Sequence, residues 1–282
     1  MLAKTKAASS EATISQYAHQ WGATGTPFSE DTPAYASDQV KQAQQLLSQS
    51  ATLRSLMLLS GPNGVGKSHL VSCWKDQLNP RSHHAIAITQ ASLSHAGLLA
   101  YLTRKLGKPS GNRSTNLLHL EEALSELGES RTTAVIILDE AQNYSHAALE
   151  EIRLLLGLDL SRRPAFSLIL IGDDYLLGSL RLRSHRALYT RIACHHQLTP
   201  WSESDMASLL ESSQQAVQLS ENLLAPAAQE LIINASNGLP RTALQIARAA
   251  WLSASQAKAP LIEAEHVQSI LPRIPSAGEQ RT

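Results

Sequence analysis

At 282 residues with 43% hydrophobic content, the chain can bury one large core or a medium one with a smaller companion, and intrinsic disorder is excluded as its general state. Its 24 basic and 24 acidic side chains cancel, so no global field draws it to nucleic acid or membrane, and any such attraction must be local. The opening stretch MLAKTKAASSEATISQYAHQW carries charges where a secretory signal needs an apolar segment, and no run of 18 apolar residues follows, so a cytoplasmic location without membrane partners is expected. The only cysteines, Cys73 and Cys194, stand among apolar or bulky neighbours and are expected as buried thiols rather than a disulfide.

In chain order, residues 1–35 read as an arm. A short helix is expected around Ser15–Ala18, then a turn-rich passage, GATGTPFSEDTP, in which Phe28 is the one large apolar side chain. A helical pattern covers Ser37–Ser50. Four apolar runs follow at intervals, Leu56–Leu59, Ala85–Ile88, Ala134–Leu138 and Ser167–Ile171, separated by helix-like segments. Continuous apolar strands alternating with helices predict an α/β domain over residues 36–200, a parallel sheet covered on both faces. After Pro200 the strand signal stops. Consecutive helical patterns then predict a small all-helical domain over residues 201–272, with Pro226 and Pro240 suited to first helical turns and Gly238 to a helix end, followed by a tail, residues 273–282.

The most specific motif lies between the first strand and the next helix: Gly61, Pro62, Asn63, Gly64, Val65, Gly66, Lys67, Ser68 and His69. It fits G-x-x-x-x-G-K-[ST], in the strand-to-helix context that gives the pattern its mechanism. The glycines let successive backbone N–H groups point at a phosphate, and the helix that follows adds its positive end. Lys67 is the expected partner of the β- and γ-phosphate oxygens, and Ser68 an expected Mg²⁺ ligand. The apolar run Val135–Leu138 ends in Asp139 and Glu140, which places both acids at the C-terminal end of a buried strand, where open parallel sheets bind ligands. Asp139 is expected to hold Mg²⁺ through water, and Glu140 to orient and deprotonate an attacking water. ATP and Mg²⁺ are the cofactors this pair of motifs implies.

From about Pro27-Phe28 to Pro272 the chain resembles the AAA+ ATPases of the ExeA/GspA-type branch, most specifically in Leu138-Asp139-Glu140-Ala141-Gln142-Asn143 and in Ala148–Leu156. The resemblance implies a P-loop NTPase core with a helical lid, and oligomers that sandwich ATP between subunits. It implies that Leu168–Ile171 is the sensor 1 strand, lying between the two Walker strands. After Gly172 such proteins usually carry a neutral polar residue, where this chain has Asp173. A carboxylate near Glu140 and the γ-phosphate adds like charge, so either hydrolysis is slow or Asp173 turns away. Gly238-Leu239-Pro240-Arg241 resembles sensor 2, with Arg241 facing the nucleotide. An arginine finger is expected from residues 181–191, with Arg191 the better match and Arg186 the second.

Charge is unevenly spread. From Gln77 to Leu120 there is no Asp or Glu, whereas Arg104, Lys105, Lys108 and Arg113 frame a Gly-containing loop between two helices. Repeated around an oligomer, such a loop makes a track for the phosphates of double-stranded DNA. Secretion ATPases of the ExeA type typically continue into a membrane segment and a wall-binding module. Compact members resemble the ATPase partners of DNA transposases, the TnsC, TniB and MuB type, which assemble on duplex DNA and direct a transposase, sometimes with a target-selection protein. The transposition reading is the expectation; an ExeA-like secretion ATPase and a STAND-type signalling switch without nucleic acid are the alternatives. Cys194-His195-His196 is expected to be structural, since adjacent strand residues face opposite ways. Leu154, Leu155 and Leu156 are expected in the core of a helix begun by Ser145, and Trp74, Trp201 and Trp251 as packing residues. Trp21 is expected to be available for an adjacent subunit.

Overall fold

The computed structural model describes residues 12–30, 35–90, 93–157, 164–219 and 221–275. In chain order the elements are helix α1 (12–20), α2 (Asp38–Leu53), β1 (Leu56–Ser60), α3 (Lys67–Asp76), β2 (His83–Ile88), α4 (His95–Lys105), α5 (Arg113–Glu129) and β3 (Thr133–Leu138). There follow α6 (His146–Leu155), β4 (Phe166–Ile171), α7 (Asp174–Arg181), α8 (Arg186–Tyr189), β5 (Ile192–Gln197), α9 (Glu203–Gln215), α10 (Pro226–Ser236), α11 (Pro240–Gln256) and α12 (Ala264–Ile270). They form two compact units, one of residues 38–62 and 67–198, the other of residues 1–37, 63–66 and 199–282. The last segment of the tail, residues 276–282, lies outside the described residues.

The first unit is the α/β domain, a five-stranded parallel sheet in the order β2-β3-β4-β1-β5. The strand β4 runs between β3 and β1, as expected for the sensor 1 strand, with Leu168 level with both Leu56 and Ile136. The three central strands are apolar almost throughout because both faces are covered: Leu58, Ile136 and Leu168 on one face and Met57, Ile137 and Ile169 on the other are all sealed from solvent. Each such side chain contributes roughly 1.5–3 kcal/mol through burial. The apolar side chains of α4 to α6, among them Leu98, Leu102, Leu120 and Ile152, complete this core. Four apolar runs were legible; the fifth strand was not. As an edge strand β5 alternates half-buried and exposed residues, so Ile192-Ala193-Cys194-His195-His196-Gln197 carries no apolar run. Its His195 Nε2 lies 2.9 Å from Ser60 Oγ on β1.

Helix starts follow local chemistry. Ser145 caps α6 by accepting from the Ala148 N–H at 3.2 Å. On that helix Leu155 and Leu156 are buried as expected, but Leu154 points outward, because three consecutive residues of a 3.6-residue turn cannot all face one core. The Cys73 and Cys194 thiols are free but only half-buried, which corrects the expectation of full burial.

The second unit combines the arm with helices α9 to α12. Pro226 and Pro240 open α10 and α11, where a missing N–H costs nothing. Gly238, at φ 72°, has no room for a side chain: a Cβ would lie 2.8 Å from the Trp201 carbonyl oxygen. Trp251 and Phe28 are fully buried, Phe28 at φ 59°. Trp21 donates its indole N–H to Ser255 Oγ on α11 at 2.8 Å, and Thr24 N–H donates to the Val217 carbonyl at 3.0 Å. The arm's tryptophan is thus spent within its own unit, contrary to the expectation that it waits for an adjacent subunit.

Candidate functional site

The site begins where β1 runs out. Gly61, Gly64 and Gly66 adopt φ values of 149°, 86° and 104°, a backbone that L side chains rarely tolerate. A Cβ at Gly61 would come 2.5 Å from the Leu198 carbonyl oxygen, while one at Gly66 would meet no protein atom within 4 Å. Gly61 is therefore required by packing, and Gly66 by the open curve of the loop. α3 then starts at Lys67, so the loop ends in a helix N-terminus, with Ser68 on the first turn. His69 lies along the helix, its Nε2 3.5 Å from Cys73 Sγ.

Lys67 is 7% exposed, and its ammonium donates to the Gly61 carbonyl at 2.6 Å and the Pro62 carbonyl at 3.1 Å. Burial lowers its pKa from the ordinary lysine value, and the charges of Glu140, Asp139, Asp173 and Asp174 raise it in part. All four acids belong to the ends of β3 and β4, so the strands' C-terminal edge gathers the carboxylates around one buried cation. Neutral carbonyl partners leave that cation its full charge for an anion.

Asp139 continues β3 by donating its N–H to the Ile88 carbonyl at 2.9 Å, and its Oδ1 accepts the Glu140 N–H at 2.9 Å. Glu140 sits at φ 52°, ψ 43°, a left-handed conformation that costs a non-glycine residue roughly 1–2 kcal/mol. This strain falls at the residue expected to act on water, in line with the tendency of strained backbone to gather at functional positions. The residues fit a magnesium nucleotide: a glycine-built curve ending in a helix N-terminus, a buried ammonium, a hydroxyl at Ser68 and a carboxylate at Asp139. When bound, Mg²⁺ would be held by Ser68 and Asp139 and would neutralise charge on the phosphates.

One side chain in contact with the candidate site went unassigned in the sequence. Gln142 donates from Nε2 to Glu140 Oε2 at 2.7 Å and accepts the Asp173 N–H on Oε1 at 3.3 Å. It thereby ties the Glu140 carboxylate to the end of β4. Gly172 makes the room, since a Cβ there would lie 2.8 Å from Gln142 Oε1. The only signal available was its place two residues after Glu140, within Asp139-Glu140-Ala141-Gln142. Gln142→Ala is expected to lower kcat about tenfold while nucleotide affinity stays near parental, as for a group that orients a base; steady-state turnover alongside equilibrium ATP binding reads the two apart.

Asp173 caps α7, its Oδ1 accepting the N–H groups of Tyr175 at 3.0 Å and Leu176 at 3.2 Å. The cap engages Oδ1, and the charge of Asp173 still acts on Lys67, so the carboxylate belongs to the cluster around that ammonium while serving α7. Arg241 donates its backbone N–H to the Gly64 carbonyl at 3.2 Å, and its Nε lies 3.5 Å from Glu30 Oε2 in the arm. Glu30, which also accepts from Gln245 Nε2 at 3.3 Å, is a second residue that sequence reasoning missed, because its partners are far along the chain. Arg191 donates to the Arg153 carbonyl at 3.2 Å, at the C-terminal turn of α6, and Arg186 is exposed on α8.

The basic loop is less positive in the fold than in the sequence. Lys108 pairs with Glu126 at 2.6 Å, and Arg113 pairs with the buried Glu151 at 2.6 Å. Arg104 Nε donates to the Ala100 carbonyl at 3.3 Å, and Lys105 Nζ stands 5.4 Å from the centre of the Tyr101 ring. The run without acids is compensated by carboxylates from later helices, so two of the four cations have an internal counter-ion.

Residues 51–180 match the AAA domain family. Over 233 residues the chain is 27% identical to General secretion pathway protein A of Aeromonas hydrophila, covering 80% of this chain and 42% of that protein. The chain thus spans less than half the length of that curated relative. Among solved structures it is similar to the Aeropyrum pernix ORC2 protein in its ADPNP-ADP complexes, with a TM-score of 0.70, 17% identity, and coverage of 90% and 72% of the two chains. The Aeropyrum pernix ORC1 protein in complex with DNA gives a TM-score of 0.66, 17% identity, and coverage of 86% and 66%. At these identities the structural likeness is one of fold, that of the P-loop NTPases. The family match and the secretion-protein relative support an AAA+ ATPase of the ExeA-like branch. Among the described residues no helix is long and apolar enough to cross a membrane.

Proposed function

We propose, with the AAA domain at residues 51–180 as premise, that this chain is a magnesium-dependent ATPase whose copies assemble on duplex DNA under nucleotide control and direct a transposase to its target. The observation that carries the ATPase reading is the set of Lys67, Ser68, Asp139 and Glu140 at one edge of the sheet, with Gln142 holding Glu140. Lys67 binds phosphate oxygens, Glu140 draws a proton from water, and Arg241 reads the γ-phosphate. An arginine from residues 181–191 completes a neighbouring copy's site, either Arg191 on leaving the Arg153 carbonyl or the exposed Arg186. Self-assembly on DNA is supported by the family and by the fold shared with a DNA-bound ORC1 protein. The transposase partner rests on the sequence resemblance alone.

A second reading, an ATPase serving secretion, is favoured by the identity to General secretion pathway protein A. Electron microscopy of the purified chain with ATP, an unhydrolysable analogue or ADP, with and without duplex DNA, separates the two. Nucleotide-gated coating of DNA is the expected result. Discrete rings formed equally well without DNA would favour secretion, and a monomer indifferent to both would sink the assembly reading.

A further inference from the structure

Three of the five strands are entered through an arginine at the same position. Arg54 stands two residues before β1, Arg81 two before β2 and Arg131 two before β3, and Arg191 immediately precedes β5. In a parallel sheet all strands begin at one edge, here the edge opposite Asp139 and the phosphate loop. The order β2-β3-β4-β1-β5 sets Arg81 beside Arg131 and Arg54 beside Arg191. Thr132 Oγ1 donates to the Arg81 carbonyl at 3.3 Å and Thr133 N–H to the Ser82 carbonyl at 2.8 Å, tying the first two turns together. With strands about 4.8 Å apart, the three spacings from Arg81 ahead of β2 to Arg54 ahead of β1 make a row roughly 14 Å long. The connection into β4 carries Arg162 and Arg163, outside the described residues.

Two features argue against simple helix capping. A cation beside a helix C-terminus gains roughly 0.3–1 kcal/mol, and Arg191 takes that gain through the Arg153 carbonyl. By contrast the guanidinium groups of Arg54, Arg81 and Arg131 have no ion pair or hydrogen bond among the described residues. Moreover Arg54 and Arg131 adopt φ values of 51° and 58°, at helix exits where glycine or asparagine is the ordinary choice. A turn alone explains neither arginine. The turns themselves, Arg54-Ser55, residues 77–82, 130–132 and 190–191, hold no Asp, Glu, Phe, Tyr or Trp, while the exposed Asp76 and Glu129 immediately precede two of them, Asp76 paired with Lys75.

We propose that this edge of the sheet binds the phosphodiester backbone of duplex DNA, with Arg54, Arg81 and Arg131 as its phosphate contacts; the assignment rests on the DNA-binding reading above and moves its main contact away from the 104–113 loop. Guanidinium groups match phosphate geometry. A row of roughly 14 Å is long enough to reach both backbones across a groove of about 12 Å. The turns carry no Phe, Tyr or Trp on which single-stranded bases could stack, and the nearest rings in the chain are His83 and His84 at the start of β2 and Tyr189 ahead of β5, so the duplex is the ligand proposed.

The test is fluorescence anisotropy of a random-sequence duplex with the full chain and ATP, titrated with salt. Arg54→Gln/Arg81→Gln/Arg131→Gln should bind about tenfold or more weakly, with the salt slope reduced by about 0.9 for each lost contact. ATP affinity should be unchanged, and the matching triple lysine variant should bind near parental strength. Should the triple glutamine variant unfold, the exposed pair Arg81→Gln/Arg131→Gln reads the same loss at two contacts. A folded glutamine variant with the parental slope, or a parent that prefers single strands, overturns the assignment while leaving DNA binding intact. A parent that binds no duplex in any nucleotide state removes the DNA-binding reading itself.

Discussion

Lys67→Ala should bind no measurable ATP and should therefore fail to assemble. The side chain is the one buried cation at the phosphate loop, and its ammonium rests on two neutral carbonyls. Charge-assisted hydrogen bonds contribute about 1.5–3 kcal/mol each, so losing two of them to phosphate oxygens weakens affinity by roughly two to four powers of ten. Thermal unfolding reads the loss directly, because a ligand at a hundred times its Kd stabilises the native state by about 2.7 kcal/mol. ATP should raise the midpoint of the parent and leave that of Lys67→Ala unmoved. The parent's affinity should also depend on pH. Only the protonated amine attracts phosphate, and burial lowers its pKa below that of an exposed lysine. Affinity should thus fall as pH rises, and begin to fall earlier than an exposed lysine would require. An ATP-induced shift in Lys67→Ala equal to the parent's would show that the phosphates are held elsewhere.

Glu140→Gln should bind ATP as the parent does and turn it over 10²- to 10⁴-fold more slowly, the range lost when a general base is removed. The substitution is close to silent in the fold. Glutamine is no worse than glutamate at φ 52°, and its carbonyl oxygen can still accept the hydrogen bond from Gln142. Only proton abstraction is lost. Assemblies that ATP builds should persist, because the step that ends them is blocked. A single-turnover measurement of phosphate release, set beside microscopy of assemblies over time, checks both halves. Turnover at the parental rate would remove Glu140 from its role. Rapid loss of assemblies despite blocked hydrolysis would separate assembly from the nucleotide cycle.

The sequence by itself determined the glycine loop, its lysine and the two acids proposed to meet a phosphate, and the scaffold that carries them. Glycines at three positive-φ places, a lysine at the helix start and two acids after an apolar run are local requirements, met by residues close in the chain. The central strands were legible for the same reason: a strand covered on both faces must be apolar throughout. Tertiary structure decided everything that depends on partners distant in sequence. Strand β5 has no fully buried residue and so left no pattern, whereas β2, at the other edge, buries Ile86 and Ile88 and was legible. Lys108 and Arg113 looked available until α5 and α6 brought Glu126 and Glu151 against them. Gln142 became a brace for Glu140 because β4 lies beside β3, and Arg241 met Glu30 through the fold of the arm. The arginines ahead of β1, β2 and β3 became one row through parallel pairing alone. Local backbone geometry is encoded residue by residue, whereas the sum of charges at a point in space is set by which surfaces hydrophobic burial happens to bring together.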